Sequence, residues 1–342
     1  MKKIYVNPVV SSSRKKSYHP PVLHTKDLLE KELRKRGHSV QLKRLLKGGF
    51  VSQVYEATMD GKPAVVKHTE DLTPFDPTEI FIGKEGHNVD SLVLGLLQNS
   101  KYIRVPKVYL HLPDITTTVM EDMRHAGFRL MIDDILNKSF SLTTARSVGQ
   151  TLAHLAQETL AWKKFRTNLS AEQNAYERGL ELRLAYPNTQ KEYMTLEKEF
   201  TGNNRYFTWL DGHPKNIFAD TRGNVAIIDF GNSSFADQRY MLPNFLAHIT
   251  IYALAGYIPL TDAKQYIQTC VDAFHTIEPV DKKLFCQYLA MEVLHRANGK
   301  WINGIDTAKQ KVRLYHFGLN IFDESVNTIE DLSMLLLFSS SN

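Results

Sequence analysis

One segment, WLDGHPKNIFADTRGNVAIIDFGNS, constrains this chain more than any other. Asp211 and Asn216 stand five residues apart. Asp229 follows thirteen residues after Asn216 and opens the triplet Asp229-Phe230-Gly231. NIFAD and NVAIIDF read as two short strands joined by a Thr-Arg-Gly-Asn turn. Three oxygen-bearing side chains therefore sit on two segments joined by a short hairpin. Asp229 closes an apolar strand beside a glycine, a position that points to a site rather than to ordinary solvent exposure.

Phosphoryl transfer needs such a set, because its highly charged transition state is stabilised mainly by metal ions and positioning. One Asp accepts or orients the acceptor hydroxyl, while an Asn and a second Asp hold Mg²⁺ through hard oxygen ligands. Kinase signatures use these residue types in this order. The triplet alone would be weak evidence; the full spacing with a compatible N-terminal half is strong.

At 342 residues the chain is long enough for two lobes with separate cores. Its apolar content of 43% and charged content of 23% are those of an ordinary globular protein. Cys270 and Cys286 fall in apolar helical stretches, cannot form a disulfide framework and fit a reducing cytosol. No apolar run has the length of a signal peptide or a membrane span, and a cytoplasmic location is expected. Ile249 to Leu260 reads as a buried helix.

The net charge of +5 is uneven: residues 1–47 hold 13 Lys/Arg against 3 Asp/Glu, whereas 123–342 hold 23 of each. Aromatics do not interleave with the basic residues, so nucleic-acid binding is not expected. Residues 1–23 read as a basic leader with little fixed structure.

Beyond the leader, Thr25 is placed to cap a helix with Leu28, Leu29 and Leu33 on one face and Gly37 at its end. Strand patterns follow in SVQLKRLL, VSQVYEATM and PAVVKHTE, the last two joined by an Asp60-Gly61 hairpin turn. A helix over about 79–97 and two further strands, IRVPKVYLHL and ITTTVMEDM, complete a small antiparallel sheet with one helix. After Met123 long helices take over, the first with Thr143 as its cap, another over about 171–200. The division falls near Glu121–Arg124, giving 24–122 and 123–342 as the two parts.

In that order the segments resemble the protein-kinase-like superfamily, in particular the small-molecule branch containing aminoglycoside phosphotransferases, choline kinases and methylthioribose kinases. The most specific match is Asp211-Gly-His213-Pro214-Lys-Asn216, similar to that branch's D-x-H-P-x-N loop. The resemblance covers about residues 40–320. It implies an α+β, bilobal protein-kinase-like fold, with a small antiparallel N-lobe sheet plus helix and a large, mainly helical C-lobe. It also implies ATP and Mg²⁺ as cofactors and a small-molecule hydroxyl as acceptor.

Carried over residue by residue, the resemblance makes Asp211 the catalytic carboxylate and Asn216 and Asp229 the metal ligands. Lys67 matches the strand lysine that pairs with the α- and β-phosphates, with Glu85 or Asp90 on the next helix as its carboxylate. His213 shapes the catalytic loop beside the phosphates. Gly48, Gly49 and Ser52 lie in the phosphate-covering segment, and Glu121 and Met123 lie where backbone groups hold adenine.

There are departures from the pattern. Trp209-Leu210 stands where His-Gly often precedes the Asp, the covering segment has only two glycines, and Met241 stands where an Asp is common. The Ala-Pro-Glu of ordinary protein kinases is missing. Arg296, near Glu292, His295 and Trp301, is placed to meet a polar or anionic acceptor or to lie along a helix face. The expectation is a small-molecule kinase for a sugar-like or amino-alcohol metabolite or an antibiotic. A kinase for a protein or glycolipid and a pseudokinase scaffold are the alternatives.

Overall fold

The computed structural model describes residues 26–46, 52–69, 83–160, 162, 190–202, 206–298, 307–323 and 326–339. The N-terminal part is built on five antiparallel strands: β1 (Val40–Leu45), β2 (Ser52–Met59), β3 (Lys62–Thr69), β4 (Val108–Leu112) and β5 (Thr117–Glu121), in the order β1-β2-β3-β5-β4. Asp60 and Gly61, at φ 50° and 78°, make the two-residue turn that pairs Met59 with Lys62. Positive φ at both central residues suits the twist of a two-residue hairpin.

Two helices cover this sheet, one on each face. Helix α1 (Lys26–Lys35) buries Leu29 and Leu33 against Leu42, Val66 and Val119. Leu28, expected on that face, is 44% exposed, because adjacent helical residues diverge by about 100°. Gly37, at φ 83°, ends the helix, and the His38 N–H returns to the Leu33 carbonyl. Helix α2 (Gly83–Leu97) lies on the opposite face and buries Val89, Val93 and Leu94.

The expected strand over IRVPKVYLHL is shorter in the structure. Pro106 has no N–H for a ladder, and β4 begins at Val108. Arg104 instead makes an isolated parallel bridge to Ala226, and its carbonyl accepts the Ile227 N–H at 3.0 Å. The sheet part is thereby sewn to the Asp211–Asp229 region.

The rest of the described residues are mostly helical, and the described structure is α+β. Strands β6 (Arg129–Leu130), β7 (Tyr206–Thr208), β8 (Ile217–Ala219), β9 (Val225–Ile227) and β10 (Ser234–Ala236) form a three-stranded sheet β6-β8-β9 and a pair β7-β10. Around them stand α3 (Met131–Leu136), α4 (Leu142–Thr159), α5 (Gln190–Gly202), α6 (Met241–Leu254), α7 (Leu260–His275), α8 (Lys282–Asn298), α9 (Ala308–Asp323) and α10 (Ile329–Phe338). Ser141 rather than Thr143 caps α4, accepting the Thr144 N–H at 3.4 Å. Every residue of α6 is buried, so it is the central helix of this part. Cys270 and Cys286 are buried thiols whose pKa values burial raises. Among the described residues no helix is long and apolar enough to cross a membrane.

Candidate active site

Strands β8 and β9 pair as Ile217↔Ile227, Phe218↔Ala226 and Ala219↔Val225. The turn between them is held by Asp220, whose Oδ1 accepts the N–H groups of Arg222 and Asn224 at 2.8 and 2.9 Å. Gly223 sits in that turn at φ 83°, where a Cβ would meet Thr143 at 2.7 Å. This register fixes where the two open ends lie: Asn216 precedes β8, Asp229 follows β9, and the Ile228 N–H donates to the Asn216 carbonyl at 3.0 Å.

Asn216 is 6% exposed. Its Nδ2 donates to the Asp211 carbonyl at 3.0 Å and to Asp211 Oδ2 at 3.1 Å. With the amide nitrogen spent on the loop, the amide oxygen is the atom suited to a cation. Asp229 adopts φ 61°, a left-handed conformation that costs a non-glycine residue about 1–3 kcal/mol. Its backbone carbonyl accepts the indole N–H of Trp209 at 2.9 Å. Trp209 therefore ties the loop that carries Asp211 to the segment that carries Asp229. A carboxylate and an amide oxygen, completed by phosphates and waters, fit the hard, oxygen-only preference of Mg²⁺.

From β3, Lys67 Nζ lies 2.8 Å from both Asp229 Oδ1 and Asp90 Oδ2. Burial works against its charge, but Asp229 and Asp90 outweigh it and raise the Lys67 pKa. Burial opposes the Asp229 charge too, yet the Lys67 ammonium holds that carboxyl below the usual range. For Asp90 burial prevails over Lys67, and its pKa goes up. Of the two carboxylates considered for Lys67, the structure places Asp90 beside it; the Glu85 side chain lies outside the described residues. Asp90 Oδ1 also accepts the Phe230 N–H at 2.8 Å.

Asp211 is 23% exposed, with its Oδ1 3.4 Å from His213 Nε2. Burial pushes the His213 pKa below its ordinary value despite the pull of Asp211, so this contact is not an ion pair at neutral pH. His213 Nδ1 accepts the Lys215 N–H at 3.2 Å, a loop-shaping contact.

Gly48 and Gly49 lie outside the described residues. Ser52, which the resemblance puts in the phosphate-covering segment, has its hydroxyl 2.7 Å from Thr69 Oγ1. Glu121 turns its carboxylate to Arg104 at 2.5 Å, and the Met123 carbonyl accepts the Phe128 N–H at 3.0 Å. Arg296 donates from Nε to buried Glu292 at 2.8 Å, and Tyr240 donates to the other Glu292 oxygen at 2.6 Å. Trp301 is outside the described residues. Asp237 caps the turn before α6, accepting the Arg239 N–H at 3.0 Å, and Met241 is fully buried.

Sequence reading missed Asn244, which donates to the Leu210 carbonyl at 3.0 Å, and His248, whose ring meets that of His213 edge-on at 5.5 Å. Their signal was present. Asn244 and His248 are polar residues four apart in a mostly apolar helix, on a face that meets the loop around Asp211.

No family model matches this sequence, and no curated protein matches it. Solved structures match its fold. A choline kinase from Streptococcus pneumoniae aligns at 15% identity and a TM-score of 0.52, over 87% of this chain and 98% of its own. An amicoumacin kinase solved with AMP-PNP, Ca²⁺ and Ami aligns at 12% and 0.57, over 87% and 94%. A choline/ethanolamine kinase family protein from Mesorhizobium loti aligns at 15% and 0.50, over 92% and 93%. The chain has the protein-kinase-like fold of these phosphotransferases.

Proposed function

We propose that this chain is a Mg²⁺- and ATP-dependent phosphotransferase that moves the γ-phosphate to a hydroxyl of a small molecule. The observation that carries the reading is the convergence of Lys67 from the sheet with Asp229 from the catalytic hairpin, with Asp211 and Asn216 joined beside it. The solved counterparts support it, since one holds an ATP analogue and a divalent cation and all three are named as kinases.

In this reading Lys67 turns its ammonium to the α- and β-phosphates when nucleotide enters. Asn216 and Asp229 would hold Mg²⁺, which when bound neutralises charge spread over the phosphate oxygens. Asp211 aligns the acceptor hydroxyl and takes its proton as the acceptor oxygen bonds to the γ-phosphorus. The bond to the β-γ bridging oxygen breaks in line, ADP leaves, and no phosphoenzyme forms. The Asn216 amide fixes the Asp211 carboxylate, an arrangement that lowers the reorganisation needed at transfer. A sugar-like or amino-alcohol metabolite, or an antibiotic, is the class of acceptor. The intact set Lys67, Asp211, Asn216 and Asp229 weighs against a pseudokinase.

Acceptor-stimulated ADP release across a panel of hydroxylated metabolites and antibiotics, with calorimetric titration of ATP and Mg²⁺, tests this. Saturable heat and an acceptor-dependent rate are expected. A flat titration would end the proposal.

A further inference from the structure

The sheet face beneath α2 is polar in an ordered way. Strand register sets Ser52 opposite Thr69, and Lys67 opposite Thr118, which is in turn opposite His111. Residues directly opposite on adjacent strands share a face. From α2, His87 and Ser91 are four residues apart with Asp90 between them, and so look at the sheet together.

His87 is 2% exposed and held at both ring nitrogens. Nδ1 lies 3.1 Å from Thr69 Oγ1, and Nε2 lies 3.0 Å from Thr118 Oγ1. Ser52 Oγ closes on the Thr69 hydroxyl at 2.7 Å, and Ser91 Oγ closes on the Thr118 hydroxyl at 2.5 Å. An unbroken chain of hydrogen bonds thus runs from the first residue of β2, through the helix, to β5. Lys67 stands between its anchors, two residues before Thr69 and directly opposite Thr118.

A neutral imidazole donates through one nitrogen and accepts through the other, so the chain can carry one consistent direction of donation. Burial and the neighbouring Lys67 charge push the His87 pKa down to about 3, which keeps the ring neutral near pH 7. A ring pinned at both ends cannot turn without breaking a bond, and it fixes the rotation of α2 about its axis. Asp90, three residues on, needs that rotation to reach Lys67 Nζ at 2.8 Å.

We infer that His87 is a positioning residue: bridging Thr69 and Thr118, it holds α2 where Asp90 meets Lys67. It also links that pairing to Ser52, which opens the strand following the phosphate-covering segment. The consequence for turnover rests on the phosphotransferase reading, whereas the geometric claim does not.

The test reads the Lys67 amine and needs no activity. Full-length protein without nucleotide is treated with acetic anhydride, and acylation of Lys67 is followed by mass spectrometry against exposed Lys62 as reference. In His87→Leu, acylation of Lys67 is expected to rise about threefold or more, as loss of a hydrogen bond of ordinary net strength allows. His87→Gln, which keeps one donor and one acceptor, is expected to return it to the wild-type rate. Thr69→Val removes one anchor without touching the ring and should raise it as well, which keeps the question open to test if His87→Leu does not fold. Unchanged Lys67 acylation in Thr69→Val and in folded His87→Leu overturns the inference. So does an equal rise in His87→Gln, because bulk packing would then explain everything. A protein that never bound ATP would still give these results, so failure here is distinct from failure of the proposed function.

Discussion

The backbone N–H of Phe230 donates to Asp90 Oδ1 at 2.8 Å, while the other Asp90 oxygen receives the Lys67 ammonium at the same distance. One carboxylate, 2% exposed, thus joins a helix, a sheet strand and the Asp-Phe-Gly segment. Removing Asp90 leaves Lys67 with Asp229 as its partner but leaves the buried Phe230 N–H without its acceptor, at about 1–3 kcal/mol. Asp90→Ala is therefore expected to lower unfolding stability in urea by about 1–3 kcal/mol. Asp90→Asn keeps an acceptor for Phe230 and should cost less. Equal, small losses in both variants would show that Asp90 is not the junction described.

Two glycines of α2 make a matched pair. A Cβ on Gly86 would lie 2.9 Å from the Gly231 carbonyl oxygen, so the helix start rests on the backbone of the Asp229–Gly231 segment. Backbone cannot swing aside as a side chain can. Gly86→Ala should push α2 from that loop, weaken ATP binding and cost about 1–3 kcal/mol, as overpacking does. A Cβ on Gly95 meets nothing within 4 Å, so Gly95→Ala should stabilise the helix by about 0.5–1 kcal/mol. Thermal unfolding of both variants checks the signs.

Why the sequence revealed some of these residues and not others has physical reasons. Lys67, Asp211, Asn216 and Asp229 sit on a strand and a hairpin, where register fixes the place of a residue named from the sequence, and the structure brings them together. Choosing between Glu85 and Asp90 needed the rotation of a helix over a sheet, which hydrophobic periodicity leaves loose by a residue or more. Gly86 was invisible because close approach of two backbones leaves no pattern along either chain. Trp209 stands where the resembled loop often has a histidine, and nothing in the sequence alone signals that its indole N–H reaches the Asp229 carbonyl.

Acid stability should report the buried histidines. His87 has its folded pKa pushed down to about 3, and His213 and His111 are also lowered, burial being the largest cause for each. A depressed folded pKa means that the unfolded chain binds more protons below about pH 6.5, so stability falls as pH drops from there toward 3. Lys67, His68 and His111 add repulsion to a protonated His87, while Asp90 stands on the same face. His87→Gln removes one such proton. The slope of unfolding free energy between pH 4 and 6 should therefore flatten by about 1.4 kcal/mol per pH unit. An unaltered slope would mean that His87 is protonated in the folded protein.

Asp211→Asn keeps the size of the side chain and removes the carboxylate proposed as proton acceptor. Turnover with a working acceptor is expected to fall about 10²–10⁴-fold, the usual worth of a positioned base, with ATP affinity unchanged. Equal turnover by wild type and variant would remove Asp211 from its assigned role.

Trp209 packs its indole 5.7 Å from the Phe230 ring and spends its only N–H on the Asp229 carbonyl. Trp209→Phe retains an aromatic contact and deletes the donor, leaving a carbonyl unpaired at a cost of about 1–3 kcal/mol. That carbonyl belongs to the residue held at φ 61°, so the lost bond removes part of what keeps Asp229 in a strained conformation. Relaxed, its carboxylate should drift from Lys67 and from Asn216, with which it would hold the proposed cation. The variant is expected to need several-fold more Mg²⁺ for half-maximal nucleotide binding, beyond its loss of stability. Trp209→His restores a ring N–H at that position and should recover part of the Mg²⁺ affinity. Magnesium titrations of nucleotide binding in the three proteins decide it, and identical midpoints would show that the indole bond contributes packing alone.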